Sequence, residues 1–189
     1  GARMDFTRFF GKAAPRIETI EASATVEEFY FNLDTALNTG PCIYVIDSMD
    51  ALTTGEEQEK FAERKKAHAK GKDVSGSYGT AKAKQNSADL RVAVNRLAET
   101  GSILIVISQT RDNIGFGSQF NPKTRSGGKA MTFYATCELW FSVREAIKRT
   151  VRGKSREIGS VLQVRIKKNR ERIQDLSISV NHFTNERKS

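Results

Sequence analysis

Apolar residues recur at two different spacings in the first 110 residues, and these spacings predict helices and strands in alternation. After Thr25, apolar residues three or four positions apart predict a capped helix that ends at Gly40 and Pro41. Continuous apolar runs at 42–46 and 103–107 predict two strands buried on both faces. A solvated helix over 56–70 and an amphipathic helix over 86–99 are expected between them. The stripe of the first helix comprises Val26, Phe29, Tyr30, Leu33 and Leu37.

The rest of the chain has a different pattern, with strands that follow one another directly. Strands are expected over 134–143, 161–166 and 176–180, with a basic turn over 149–156 and a long loop over 111–128. Near the start, 4–10 is expected to be helical and 16–21 strand-like. The predicted fold is α/β: a mostly parallel sheet flanked by helices, with an antiparallel C-terminal extension. A length of 189 residues suits a single domain.

Composition narrows the class of protein. With 38% hydrophobic and 28% charged residues, the chain is neither broadly disordered nor a disulfide scaffold. No run approaches the ~20 apolar residues of a membrane helix, and no secretory signal opens the chain, so no membrane partner and a cytoplasmic location are expected. Cys42 and Cys137 lie within apolar runs and are expected to be buried, reduced thiols.

Charge is distributed unevenly along the sequence. Residues 1–60 have a net charge of −6, whereas 61–141 have +7 and 142–189 have +8, within a total of +9. This asymmetry indicates a polyanionic partner for the latter two-thirds of the chain. Nucleic acid and a generically soluble basic surface both remain open at this point.

Polar residues follow the two central strands. Asp47 and Ser48 end the first, which is the general form of a Walker B strand, where a carboxylate holds a Mg²⁺-bound water beside a nucleotide phosphate. Gln109 ends the second, where an amide can orient a water or sense a terminal phosphate. The alternatives are a carboxylate that merely caps the next helix and an amide that bonds its neighbours.

Two later segments carry candidate phosphate contacts. The loop over 111–126 mixes cations, glycines, amides and two phenylalanines, which suits a segment that orders on single-stranded nucleic acid. Loops of this length inside compact domains are usually functional, although an ordinary surface loop is the alternative. Lys168 and Arg170 follow a strand and are expected either to reach a neighbouring subunit's phosphate or to form a solvated tip.

The order of these motifs is similar to the RecA recombinase core. The blocks are IDSMDAL, ISQTRDNIG, SGGKAMTFYAT and VRIKKNR, and the third is the most specific. The resemblance covers about residues 4–180. It implies an ATP- and Mg²⁺-dependent protein of DNA recombination and repair that assembles as a filament on single-stranded DNA and promotes homologous pairing and strand exchange. A homo-oligomeric ring is the alternative assembly.

The resemblance also implies roles for individual residues. Asp47 and Gln109 are the implied catalytic pair; Asp47 and Ser48 bind nucleotide, and Asp47 holds Mg²⁺ through water. Lys168 and Arg170 reach the nucleotide of the adjacent subunit. The first DNA loop is placed at 71–84 and the second at 111–126. The implied DNA contacts are Lys72, Lys82, Lys84, Arg111, Asn113, Phe116, Phe120, Lys123, Arg125, Gly127 and Gly128.

One element of the family pattern is absent from the sequence. No Gly-Lys pair, at 11–12, 71–72, 128–129 or 153–154, completes the phosphate loop Gly-x-x-x-x-Gly-Lys-[Ser/Thr]. The chain therefore resembles a partial core without the N-terminal strands and the phosphate loop. A DNA-dependent ATPase is expected for an intact protein, and poor ATP binding for this chain alone. The alternatives are another motor with this core, such as a hexameric helicase, and a non-catalytic DNA-binding paralogue.

Overall fold

A computed structural model describes residues 5–71, 80–112, 123–125, 128–170 and 177–183. Contacts divide the chain into two compact units, Gly1–Ser126 and Gly127–Ser189, which are described separately. The first contains helices and a parallel strand pair, and the second a helix and an antiparallel sheet. The α/β class and the antiparallel C-terminal extension are thus confirmed. That the two units form one domain stays a prediction.

The first unit begins with two short helical segments and a capped helix. Helix α1 spans Phe6–Phe10, as expected, and a 3-10 helix covers Gly11–Arg16. The strand-like stretch predicted at 16–21 is wrong, because residues 17–22 have no regular structure. Helix α2, Val26–Thr39, begins with a reciprocal capping box between Thr25 and Glu28. All five residues of its predicted apolar stripe are buried.

The central strands pair in parallel. Strand β1, Ile43–Asp47, runs beside β2, Ile103–Ile107, with Asp47 opposite Ile107. Burial alternates along both strands, so the prediction that both faces are buried is wrong in this chain. Ile43 is 65% exposed and Ile105 45%, whereas Tyr44 and Ile46 face inward and are half-buried. The apolar run resembled a doubly covered strand because its outward residues are also β-branched.

Two helices connect β1 to β2. Helix α3, Gly55–His68, is capped by Thr54 in a second capping box and has no buried residue. Helix α4 spans Thr80–Thr100 and begins earlier than expected. Residues 80–84, predicted as part of a DNA loop, are therefore helical. Alanines and lysines are strong helix formers, and they dominate this stretch.

The core of this unit lies between α2 and α4 and contains a buried polar pair. The Tyr30 hydroxyl donates to Asn86 Oδ1 at 3.2 Å, and Asn86 is fully buried. Burial raises the pKa of the Tyr30 phenol, and the nearby Asp89 carboxylate raises it further. The hydroxyl therefore stays a donor at neutral pH. Phe29 packs edge-on against Tyr44, which joins α2 to the inner face of the sheet.

The long loop predicted at 111–128 contains regular structure at its base. Strand β3, Thr110–Asp112, pairs antiparallel with β4, Lys123–Arg125, so the absence of regular structure predicted there is wrong. The pairing joins backbone groups whose side-chain pattern is too short to show a period. Residues 113–122 lie outside the described residues.

The second unit contains one short helix and a three-stranded antiparallel sheet. Helix α5 spans Gly128–Tyr134 and begins at Gly128. The strands are β5, Cys137–Val151; β6, Lys154–Asn169; and β7, Ser177–Phe183, in that spatial order. The first two are much longer than predicted. Their outer halves are rich in charge rather than apolar residues, which hid them from a hydrophobic pattern.

The basic turn expected over 149–156 is the tip of the β5–β6 hairpin. Arg152 and Gly153 both have positive φ, at 51° and 75°, as in a two-residue type I′ turn. Within the described residues, pairing of β7 with β6 extends no further toward the tip than Gly159. The tip is therefore a two-stranded ribbon whose charged side chains are exposed.

Two further expectations concern cysteines and membranes. Both cysteines are free, but Cys42 is half-buried and Cys137 exposed, so the prediction of buried thiols is wrong. Cys137 opens β5, where side chains on one face of the sheet reach solvent.

Among the helices described, none combines the length and the apolar character that crossing a membrane requires.

Candidate nucleotide and nucleic-acid site

The carboxyl ends of β1 and β2 bring three predicted site residues to one edge of the parallel pair. Asp47 is the last residue of β1, and its Cα partner Ile107 is the last of β2, so Ser48 and Ser108 follow at the same edge. Asp47 and Gln109 are exposed, and Ser48 is half-buried. The carboxylate, hydroxyl and amide are thus open to a ligand at this edge. Loops here follow strand ends, where ligands bind in parallel α/β sheets.

A fourth residue, Asp50, ties the two strand ends together. It lies in the 3-10 turn Met49–Ala51, which follows β1 directly. Its Oδ2 atom accepts hydrogen bonds from Ser108 Oγ at 2.9 Å and from the Gln109 backbone N–H at 2.7 Å. Hydrogen bonds to a carboxylate are about twice as strong as neutral ones. The turn after β1 and the residues after β2 are therefore directly linked.

Helix α4 holds the same turn from another side. Lys82, one of the predicted DNA contacts, donates from Nζ to the backbone oxygen of Leu52 at 2.6 Å and lies 3.4 Å from that of Asp50. Its ammonium thus supports the turn beside the strand ends. Lys84 is exposed on the same helix. That both contact DNA stays a prediction.

The segment predicted to bind DNA, 111–126, begins two residues after Gln109. Thr110 opens β3, whose pairing with β4 closes the base of the 111–126 segment. Arg111, Lys123 and Arg125 therefore lie in this two-stranded base. Four other predicted contacts in or beside the loops lie outside the described residues, as does Lys72. Those four are Asn113, Phe116, Phe120 and Gly127.

In the second unit, the two predicted nucleotide-binding cations lie at the end of α5. Lys168 Nζ donates to the backbone oxygens of Thr132 and Phe133, at 2.5 and 2.9 Å. Arg170 Nη2 donates to the Phe133 oxygen, and the Arg170 backbone N–H donates to Thr136 O. Carbonyls in the last turn of a helix lack helical partners and carry partial negative charge, so cations stabilise them.

Burial and neighbouring charges shift the pKa of Lys168. Partial desolvation lowers the pKa of its ammonium, the Arg170 cation lowers it further, and the Glu138 carboxylate opposes both. Glu138 is its cross-strand partner in β5. The same carboxylate accepts from Trp140 Nε1 at 2.8 Å. The two cations therefore repel each other while they share the same helix end.

The donor set at Asp47 suits Mg²⁺ held through water. Mg²⁺ keeps several waters and binds through one or two carboxylates together with substrate phosphates, rather than in an all-protein cage. One exposed carboxylate followed by a hydroxyl residue matches that requirement. In the ranges that the structure describes, no cluster of three or more His, Cys, Asp or Glu residues is arranged for a metal.

Sequence reasoning missed Asp50 and the structural contacts of Lys82. A carboxylate three residues after Asp47, in the otherwise apolar sequence Met-Asp-Ala-Leu, was the available signal. Its partners at 108 and 109 depend on the parallel register, which no local pattern reveals. The lysine contact spans 30 residues of sequence and depends on the packing of α4.

Comparison with known proteins identifies the family. The family model described as the RecA N-terminal domain matches residues 33–181. The match begins within α2 and ends within β7. It therefore includes both strand ends, the predicted DNA segment and the pair of cations.

Individual relatives agree with the family model. The chain is 31% identical to a RecA protein of Lactobacillus delbrueckii subsp. bulgaricus over 149 residues, which is 77% of this chain and 39% of that protein. It is 34% identical over 132 residues to RecA proteins of Bifidobacterium breve and Mycobacterium ulcerans, covering 68% of this chain and 28% and 32% of theirs. The chain thus spans less than two-fifths of the length of these relatives. With the match to the family model, these identities show that the chain belongs to the RecA family.

Proposed function

We propose that this chain forms part of a recombinase that uses ATP and Mg²⁺, assembles on single-stranded DNA and pairs it with a homologous strand. The observation that carries the proposal is the link between Asp50, in the turn after β1, and Gln109, two residues before the DNA segment. It joins a candidate nucleotide edge to a candidate DNA segment within one unit. A recombinase needs such a connection to make DNA binding depend on nucleotide.

On the nucleotide side, Asp47, Ser48 and Gln109 act at the carboxyl edge of the β1–β2 pair. Asp47 would hold Mg²⁺ through water, and the ion supplies charge neutralisation for nucleotide phosphates when bound. Ser48 orients the same water shell through its hydroxyl. The Gln109 amide, exposed at the neighbouring strand end, reaches toward the terminal phosphate or the attacking water.

On the DNA side, the 111–126 segment binds phosphates through its cations and bases through its phenylalanines. Its base in β3 and β4 places Arg111, Lys123 and Arg125 within three residue pairs of each other. Cations along one such segment track successive phosphates of a single strand, while aromatic side chains stack on bases of any sequence. The contribution of 71–84 is smaller in this proposal, because Lys82 already supports the β1 turn.

Lys168 and Arg170 act between subunits in this proposal. Both side chains reach backbone oxygens at the end of α5 in the isolated chain. A nucleotide phosphate from an adjacent copy offers a full negative charge in place of these partial charges. Assembly with nucleotide would therefore draw the cations toward the neighbouring subunit, as a helical filament or a ring requires.

A salt titration of DNA affinity tests the proposal. The chain is mixed with a fluorescent oligo-dT strand, and anisotropy gives Kd between 50 and 300 mM salt. Each phosphate contact contributes about 0.7 to the slope of log K against log salt for a single strand. Lys123→Ala and Arg125→Ala should each reduce the slope by about that amount. Lys60→Ala, in α3 beside Glu56, is the control and should leave it unchanged.

The outcomes of this titration are distinct. A slope that falls for the two loop variants and not for the control supports DNA binding by the 111–126 segment. Affinity that does not change with salt, or that changes equally for all three variants, contradicts it. Gln109→Ala should leave DNA affinity of the isolated chain near the wild-type value while abolishing its dependence on nucleotide in the complete protein.

A DNA-binding protein without hydrolysis is the second candidate. The observation that favours it is the absence of a phosphate loop from the 189 residues. On either view this chain alone binds ATP poorly, and micromolar binding of MgATP in calorimetry would refute that expectation. The coding sequence immediately upstream of Gly1 separates the two candidates. A phosphate loop there favours the recombinase, and a natural start without one favours the binding protein.

A further inference from the structure

We infer that Asp50 is a positioning residue that fixes the Gln109 backbone relative to Asp47 and Ser48. The inference rests on the proposed function, since it assigns the contact through which the nucleotide edge and the DNA segment influence each other. Asp50 itself would touch neither ligand. It acts through the backbone of Gln109, two residues before the DNA segment.

The Asp50 carboxylate binds two residues that lie beyond the β1–β2 hydrogen-bond ladder. One oxygen, Oδ2 of Asp50, accepts both from the Ser108 hydroxyl and from the Gln109 N–H. The ladder between β1 and β2 ends at Asp47 and Ile107, so neither donor belongs to it. The carboxylate therefore extends the connection between the two strands beyond the last ladder pair. Its charge strengthens both bonds.

The turn that carries the carboxylate is itself fixed. Met49 is fully buried, and the Ala51 N–H donates to Ser48 O at 3.2 Å, which closes the turn. Lys82 supports the following backbone oxygens from α4. An acceptor on a mobile turn would follow its donors, whereas an acceptor on this turn imposes a position on them.

A shift at one end is therefore transmitted to the other. Asp50 is three residues from Asp47 within a closed turn, and its carboxylate holds the residue before β3. A ligand that moves Asp47 and Ser48 moves Gln109 and the start of β3 with them. Conversely, DNA bound by the segment after β3 biases the strand edge where nucleotide is proposed to bind. The reciprocity follows from thermodynamic linkage.

For substitutions at Asp50, a positioning role and a simple charge effect predict changes in DNA affinity of opposite sign. Asp50→Asn and Asp50→Leu both remove a negative charge, which alone strengthens binding to polyanionic DNA. Asparagine keeps an acceptor oxygen, whereas leucine has a similar volume and none. Ser108→Ala removes one donor and leaves the Gln109 bond intact. Asp34→Asn and Asp34→Leu, at an exposed carboxylate of α2 bonded to Arg96, are the matched controls.

Two measurements are made on each variant of the chain. The first is the exchange rate and chemical shift of the Gln109 amide proton by NMR, which report its bond to Asp50 directly. The second is affinity for fluorescent oligo-dT at fixed salt. We expect Asp50→Leu to lose the protection of the amide and to bind DNA about tenfold more weakly. Asp50→Asn and Ser108→Ala should retain protection and stay within about threefold of wild type.

Each result bears on the inference. Loss of amide protection in Asp50→Leu with unchanged or tighter DNA binding overturns it, because charge alone then explains the effect. Equal weakening in Asp50→Asn and Asp50→Leu, or in the Asp34 controls, also overturns it. If wild type shows no salt-dependent DNA binding, the proposed function fails, and the amide measurement by itself decides whether Asp50 sets the Gln109 backbone. Thermal melting of Asp50→Asn confirms a folded chain.

Discussion

The candidate site residues of the two units play opposite roles in their hydrogen bonds. A side chain accepts in the first unit, whereas side chains donate in the second. In the first, the half-buried carboxylate of Asp50 accepts from a hydroxyl and a backbone N–H at the end of β2. In the second, the cations of Lys168 and Arg170 donate to backbone oxygens at the end of α5. The turn of the first arrangement is anchored by the fully buried Met49, whereas in the second Lys168 is half-buried and Arg170 is exposed.

The difference indicates which site residues are fixed and which are exchangeable. A half-buried carboxylate that left its donors would stay partly desolvated and without hydrogen-bond partners, so breaking these bonds is costly. A cation near solvent exchanges a carbonyl for water at small cost, and for a phosphate at a gain. The strand edge of the first unit is therefore called the fixed part, and the cations at the end of α5 in the second unit the movable part.

The largest expected effect comes from the core beneath the fixed part. Phe29 is 1% exposed and packs against Tyr44 on the inner face of β1, so Phe29→Ala should lower the free energy of unfolding by about 3–5 kcal/mol. Urea denaturation followed by circular dichroism measures the change. Phe31, on the same helix and 69% exposed, is the control, and its change to alanine should cost less than about 0.5 kcal/mol. Equal losses would show that the strand edge does not rest on this core.

An intermediate effect is expected at the movable part. Lys168→Met removes two bonds to the end of α5 and should lower helix stability by about 0.5–1 kcal/mol. Amide exchange within α5 reports the loss. Lys167→Met is the matched control, because its ammonium lies 5.0 Å from the Trp140 ring rather than at the helix. If α5 is unchanged in Lys168→Met, the cations are not what holds its end.

The smallest expected effect is a shift in titration. Since desolvation and Arg170 lower the pKa of Lys168, its folded-state value lies below that of the unfolded chain. The ammonium is thus slightly destabilised in the fold, and this penalty disappears as pH rises toward the unfolded pKa. Arg170→Met should move the Lys168 pKa upward, and Glu138→Gln should move it downward. Lysine side-chain NMR measures both, and an upward shift in Glu138→Gln would contradict the assigned charges.

The predictability of each region follows from the range of its interactions. The capped helix after Thr25 and its five buried side chains were predicted correctly, because a capping box and a helical period are local signals. The strand ends beside Asp47 and Gln109 were likewise predicted from a local signal, an apolar run followed by polar residues. The contacts of Asp50 and Lys82 were not, since they join segments 30 to 59 residues apart. The pairing of strands β3 and β4, at the base of the 111–126 segment, was not predicted because three residues per strand are too few to show a period.

The exposed face of the β1–β2 pair affects how readily molecules of this protein associate with one another. Ile43, Val45, Ile103, Ile105 and Ile107 form an exposed apolar row. Such rows promote association between molecules, while the net charge of +9 keeps molecules apart by repulsion. Salt screens that repulsion over about 10 Å at 0.1 M. Raising salt is therefore expected to weaken DNA binding and promote self-association together, and light scattering on the DNA-free chain separates the two.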